Sequence, residues 1–209
     1  MKNLKILDNF LTNEHFHKLS SLDLQQVKNN EISVYHNKIN SNGVPVPTCL
    51  EKNFLTELQN TYHLKAMEIL KSLSKEKANL YQYSEFHIVK TGKDYFFPIH
   101  RDTPNKLLSG VIYLTPQKNE GTYLYSDRYG NNPYQIEWKQ NRAVFFSRTE
   151  NDSWHNYKSD GENPRLVLIY NLMTNDIKSV CKVDNVSYYK VFLREKINKY
   201  LLRFFNFMI

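Results

Sequence analysis

The sequence predicts a mainly-β α+β fold: a jelly roll, or double-stranded β-helix, in which two packed sheets leave a mouth between them. Three observations predict it. Aromatic residues make up 14% of 209 residues, with 15 Tyr and 12 Phe against 6 Gly and 7 Pro, a balance suited to strands whose side chains fill a sandwich or barrel. Beyond residue 79 the chain breaks into roughly eight short strand-like segments separated by turn signals. Ahead of them, apolar residues recur at helical steps, so supporting helices precede the sheets.

With 41% hydrophobic and 23% charged residues, the chain has ordinary globular composition and enough length for one domain with a sizeable core. Cys49 and Cys181 lie far apart and in no C-x-x-C spacing. That excludes a disulfide framework or zinc knuckle and fits a reducing, cytoplasmic compartment. Charge interrupts the first residues before an apolar core could form, so no signal peptide is expected. No uninterrupted apolar run is long enough to predict a membrane span. The net charge of +7 is uneven: residues 178–209 carry seven Lys or Arg against two acidic residues, +5 in all. The remainder is nearly balanced, which argues against nucleic acid as a partner.

Taken in order, Ile6-Leu7 reads as a short strand, followed by a helix start with Thr12 or Asn13 as cap and Glu14 in the first turn. His15 and His17 fall in that helix. Positions two apart share no helical face, so this pair is assigned to the surface or to helix packing. The segment 41–47, Ser-Asn-Gly-Val-Pro-Val-Pro, has the punctuation of a loop that could fold over a pocket. From Leu55, the positions Leu58, Tyr62, Ala66, Ile69 and Leu73 define an amphipathic helix that should pack on a sheet. The predicted strands span 81–89, 95–99, 107–114, 122–125, 134–138, 143–147, 153–157 and 165–172. Their number and spacing suit a cupin-like jelly roll over residues 1–177. Residues 178–209 form a basic amphipathic tail in which Leu193, Ile197, Tyr200, Leu201, Phe204, Phe205 and Met208 share one helical face. Three roles stay open for this helix: packing on its own domain, a homodimer interface, or peripheral contact with an anionic membrane.

The stretch 98–104, Pro-Ile-His-Arg-Asp-Thr-Pro, concentrates the chemistry. On an extended chain His100 and Asp102 project to one side while Arg101 turns away. A second imidazole from His155, fifty-three positions after Asp102, would complete two histidines and one carboxylate on one face of a metal. That arrangement leaves the opposite coordination positions open. An H-x-D pair alone is a weak signal among seven histidines, and His36, His63 and His87 have no partner visible in the sequence. His100 and Asp102 differ because they sit between an aromatic strand and the alternating strand 109–114, with Trp154-His155 downstream and Arg165 ten positions further on.

This order of motifs resembles the 2-oxoglutarate and Fe(II)-dependent dioxygenases, specifically their prolyl 4-hydroxylase-like branch, loosely from Ile6 to Leu172 and most sharply from Phe86 onward. The resemblance implies iron held by His100, Asp102 and His155, and 2-oxoglutarate held through its distal carboxylate by Arg165. The guanidinium offers a planar fork matched to that group. It further implies hydroxyl help from Tyr113 and Thr122, with ascorbate as an accessory reductant. Trp154 is expected to pack against the distal histidine's strand. Val167 stands where many relatives carry Ser or Thr, and the family's upstream co-substrate tyrosine has no counterpart legible in the sequence.

What the resemblance implies is hydroxylation of an unactivated C–H bond, with release of succinate and CO2, on a small molecule, a sugar or lipid precursor, or a prolyl residue. Halogenating relatives lack the carboxylate ligand that Asp102 supplies, and nucleic-acid demethylases pair the arginine with a second one absent here. A cupin-like metal-binding domain without oxygenase activity is the alternative; a non-catalytic interaction protein is a third reading.

Overall fold

The computed structural model describes residues 4–149 and 153–205, with side chains as far as residue 201 in the last helix. Strand β1 (Leu4–Leu7) leads into helix α1 (Asn13–Ser20), and Thr12 caps it by accepting from the His15 amide at 3.2 Å. Three short strands follow, β2 (Ile32–Tyr35), β3 (Lys38–Ile39) and β4 (Pro45–Val46). The segment expected as a loop thus contains β4, which pairs with β3 on either side of Gly43 at φ 74°. Two-residue strands carry no readable period; they form because a neighbouring strand offers unpaired backbone groups.

Helix α2 (Lys52–Leu73) buries Phe54, Leu55, Leu58, Tyr62, Ala66, Ile69 and Leu70, the predicted face, and the short α3 (Lys75–Ala78) ends the helical region. His15 packs between helices: its ring lies 2.7 Å from the Tyr62 hydroxyl and 2.9 Å from Glu57. The strands after residue 79 are β5 (Tyr83–Thr91), β6 (Phe96–His100), β7 (Lys106–Thr115), β8 (Tyr123–Tyr125), β9 (Tyr134–Gln135), β10 (Ala143–Phe146), β11 (Trp154–Lys158) and β12 (Arg165–Met173).

These strands make two antiparallel sheets. The larger runs β1-β10-β7-β12-β5-β3-β4, with β2 also on β5; the smaller runs β6-β11-β8-β9. The result is a jelly roll, mainly β, with helices on one outer face. Period-two alternation sorts β5: Ser84, Phe86 and Ile88 are buried on one face, whereas Glu85, His87 and Val89 occupy the other. Phe86 and Ile88 join the core shared with α1 and α2. A second, smaller core of Tyr113, Leu124, Ile136, Trp138, Val144, Phe146 and Val167 lies between the sheets.

The tail, expected as a single helix, is two: α4 (Ile177–Val183), capped by Asp176, and α5 (Tyr188–Phe205). Val191 and Asn198 face inward, while Leu193, Ile197 and Tyr200 of the predicted stripe are exposed. Helix α5 contacts α4, and the side chains of Phe204 and Phe205 lie outside the described residues. Met208 lies outside the described residues. No described helix is long and apolar enough to cross a membrane. Between the two helices, Asp184 is held by Lys77 at 2.7 Å and by Arg148 at 3.5 Å, all three buried.

Candidate metal centre

His100 closes β6, and His155 is the second residue of β11, the strand beside it. Register places the two residues directly opposite one another, with a bulge between His155 and Tyr157 re-aiming the strand beyond. The rings sit with centroids 4.1 Å apart. Asp102 follows two residues after His100 on the same side, while Arg101 turns away and lays its guanidinium over the Trp154 ring at 4.4 Å. Ligand atoms of His100, Asp102 and His155 all lie within 4.8 Å of one another. The sequence-predicted triad is therefore brought together.

Hydrogen bonding fixes which ring nitrogens face the metal position. His100 Nδ1 lies 2.9 Å from the Pro98 carbonyl and His155 Nδ1 lies 2.9 Å from the Ser153 carbonyl. A carbonyl only accepts, so each Nδ1 carries the proton and each Nε2 keeps a free lone pair. Burial, reinforced by the neighbouring imidazole, drives His100 down to about 3 against the opposing pull of Asp102. Burial likewise lowers His155, again against Asp102. For Asp102 burial pushes the carboxyl up, but Lys106, with His155 and His100, outweighs it and holds the group well below the usual carboxylate range. Two neutral imidazoles and an ionised carboxylate are the protonation states that a divalent metal requires.

Asp102 is held from three directions. Lys106 Nζ donates to Oδ1 at 2.6 Å, Ser109 Oγ donates to Oδ2 at 2.5 Å, and Arg148 Nε donates to the Asp102 carbonyl at 2.7 Å. None of these three residues is singled out by the sequence. Lys106 is detectable in principle as the i+4 neighbour of Asp102, but Ser109 and Arg148 become partners only through folding.

The triad opens into a cavity of about 290 Å³ between the sheets, and Arg165 lines the same cavity. Arg165 is 6% exposed, its Nε is buried without a hydrogen-bond partner, and its guanidinium stacks on Tyr157 at 3.5 Å. Among the described residues no carboxylate forms an ion pair with it. An unneutralised buried guanidinium is costly; a carboxylate-bearing ligand in this cavity would resolve that cost. Thr122 also lines the cavity, whereas the Tyr113 hydroxyl is engaged within the protein, donating to Thr122 Oγ1 at 2.9 Å and accepting from the Thr122 amide at 2.9 Å. Tyr95 shares the cavity, and burial pushes its phenol up to about 12 against the opposing Arg165. Tyr95 is the first residue of the predicted aromatic strand 95–99, and the sequence alone gives it no role at the site.

No family model and no curated protein matches the sequence. Solved structures match the fold, which is that of the 2-oxoglutarate and Fe(II)-dependent oxygenases in their prolyl 4-hydroxylase-like form. A 2OG-Fe(II) oxygenase family oxidoreductase from Burkholderia pseudomallei superposes with a TM-score of 0.57 at 16% identity, over 82% of this chain and 84% of its own. A prolyl-4-hydroxylase from Pseudomonas putida gives 0.54 at 14% identity, over 83% and 93%. A Trichoplax adhaerens prolyl hydroxylase, solved with a hypoxia inducible factor peptide fragment, gives 0.56 at 12% identity, over 86% and 87%.

Proposed function

We propose that this protein is an Fe(II)- and 2-oxoglutarate-dependent dioxygenase that hydroxylates a small molecule, a sugar or lipid precursor, or a prolyl residue. The observation that carries the reading is the convergence on one cavity of the triad and a buried guanidinium that no described carboxylate neutralises. A metal-binding domain without oxygen chemistry has no use for the second feature.

His100, Asp102 and His155 would hold the iron, and the facial arrangement leaves positions open toward the cavity. Bound there, Fe(II) with 2-oxoglutarate and O2 supplies the oxidising power for C–H hydroxylation, with succinate and CO2 as co-products and ascorbate as a reductant that restores the ferrous state. The chain's own work is placement. Arg165 would grip the distal carboxylate of the co-substrate, stiffened by its stack on Tyr157. Thr122 and Tyr95 lie where a hydroxyl can assist, and Tyr113 orients Thr122 through their mutual hydrogen bonds. Val89, Val111, Val167 and Ile169 line the cavity and exclude water from the reacting centre. The Pro98 and Ser153 carbonyls keep both imidazoles in the metal-binding tautomer throughout.

Anaerobic addition of Fe(II) and 2-oxoglutarate to the purified protein tests this. A visible charge-transfer band is expected, and it should vanish in His155→Ala and weaken severely in Arg165→Ala. Absence of the band in the native protein would refute the assignment.

A further inference from the structure

Three adjacent strands set one residue each in a row beside the metal centre: Asn171 on β12 lies opposite Ser109 of β7 on one side and Glu85 of β5 on the other. Ser109 is the residue that donates to the Asp102 carboxylate, so the row begins at a metal ligand. His87 stands two residues along β5 on the face shared with Glu85, and His87 and Asn171 both line the cavity.

The polar bookkeeping of this floor is incomplete in a specific way. Asn171 Nδ2 donates to Glu85 Oε2 at 3.3 Å. A carboxylate only accepts, so the amide orientation is fixed and Oδ1 is the acceptor left over. That oxygen is buried without a partner in a residue that is 0% exposed. His87 Nε2 lies 3.1 Å from the same Glu85 oxygen. With Nε2–H donating, the neutral ring offers Nδ1 as an acceptor, and Nδ1 too is buried and unpartnered. The neighbouring carboxylates already take hydrogen bonds from the protein's own donors: Glu85 from His87 and Asn171, and Asp102 from Lys106. What remains is a pair of neutral acceptors at the side of the metal, separated from Arg165 by the apolar belt of Val89, Val167 and Ile169.

We propose that Asn171 and His87, braced by Glu85, form the substrate-recognition floor, and that it takes a small neutral molecule presenting two hydroxyl groups, a polyol or sugar. Two O–H donors match the two unpartnered acceptors. A free carboxylate would bring no donor to these acceptors and would be repelled by Glu85, and the acceptors themselves carry no charge for an ammonium to pair with. The inference rests on the oxygenase reading for what happens to the bound molecule, but not for binding itself.

Saturation-transfer NMR on the metal-free protein tests it, with glycerol, myo-inositol and glucose as hydroxylated probes, proline and glycine as zwitterions, and hexanoate as an apolar acid. Transfer to at least one hydroxylated probe is expected. Asn171→Leu should weaken that binding about tenfold or more, the loss of one buried hydrogen bond, and Arg165→Ala should retain it. Should Asn171→Leu fail to fold, His87→Phe removes the second acceptor and should act the same way. Transfer confined to the zwitterions or to hexanoate, no transfer to any hydroxylated probe, or a polyol signal unchanged in both variants would overturn the proposal. Because no iron is present, polyol binding without a charge-transfer band elsewhere would count against the oxygenase reading alone, and a band without polyol binding against this inference alone.

Discussion

Each imidazole at the metal centre has one nitrogen already committed to a backbone carbonyl, and this bears on acid sensitivity. An unfolded chain protonates its histidines near 6.5, whereas the folded metal-free protein keeps His100 neutral down to about 3. His155 is shifted in the same direction by burial. The unfolded state therefore binds more protons below 6.5, so stability is greatest above that value and declines as pH falls. The slope approaches about 1.4 kcal/mol per pH unit for each imidazole. Thermal melting of metal-stripped protein across this range should show the decline, and His100→Gln should flatten part of it; an unchanged melting temperature would contradict the burial argument. At Arg165, replacement by Lys keeps the charge and loses the planar fork. Affinity for 2-oxoglutarate should drop by about ten- to a hundredfold, the scale of one to two charge-assisted hydrogen bonds, as read by titration of the charge-transfer band. Strand alternation made it legible that His100 and Asp102 share a side, whereas His155 was legible only from the order of motifs and the family resemblance that order carries. Ser109, Arg148 and Asn171 were not, since their relation to the metal depends on which distant segments become neighbours.

At the scale of elements, the buried ion cluster joins parts that the sequence treated as separate. Asp184, between α4 and α5, pairs with Lys77 of α3 and with Arg148, and Arg148 in turn donates to the Asp102 carbonyl. Asp184→Ala removes a buried carboxylate that both cations contact, so it should destabilise the protein in denaturant unfolding, by up to about 3–5 kcal/mol, the range typical of a broken buried pair. Metal affinity should fall with it, because Arg148 loses one of the groups that orient it. A second constraint is Gly121, just ahead of β8: a Cβ there would lie 1.6 Å from the Ile136 carbonyl oxygen. Gly121→Ala should displace the neighbouring Thr122 and lower stability by about 1–3 kcal/mol, the usual range for overpacking, measured by the same unfolding experiment. The long strands and α2 were readable from period and turn chemistry. The pieces β2 to β4 were not, because their pairing is supplied by the edge they join rather than by their own residues. The tail misled in a related way: of its predicted apolar stripe Leu193, Ile197 and Tyr200 are exposed, while Val191 and Asn198 are the buried positions of α5.

Over the whole molecule, the site is divided between the sheets. His100 and His155 belong to the smaller sheet, whereas Arg165 belongs to the larger, as does Ser109, which steadies Asp102. A metal and a dicarboxylate bound together would therefore link the sheets across their shared interior. Mn(II), a redox-quiet stand-in, should raise the melting temperature, and 2-oxoglutarate should raise it further only when Mn(II) is present. A ligand at a hundred times its Kd adds about 2.7 kcal/mol, enough for a shift of a few degrees in a chain of this size. Differential scanning fluorimetry with each ligand alone and both together measures this; equal shifts from 2-oxoglutarate with and without the metal would speak against a shared site.

Strand β12 carries Arg165 at its first residue and Asn171 six residues later, paired with β5 throughout and with β7 from Leu166 onward. At about 3.3 Å per residue, that fixes roughly 20 Å of backbone between the two. The strand thus serves as a ruler with marks on alternate residues. Inserting a single amino acid between the marks would rotate one end out of the cavity rather than lengthen the scale. Evolution toward bulkier ligands on this scaffold is therefore confined to changes of side chain, or to steps of two residues at a time.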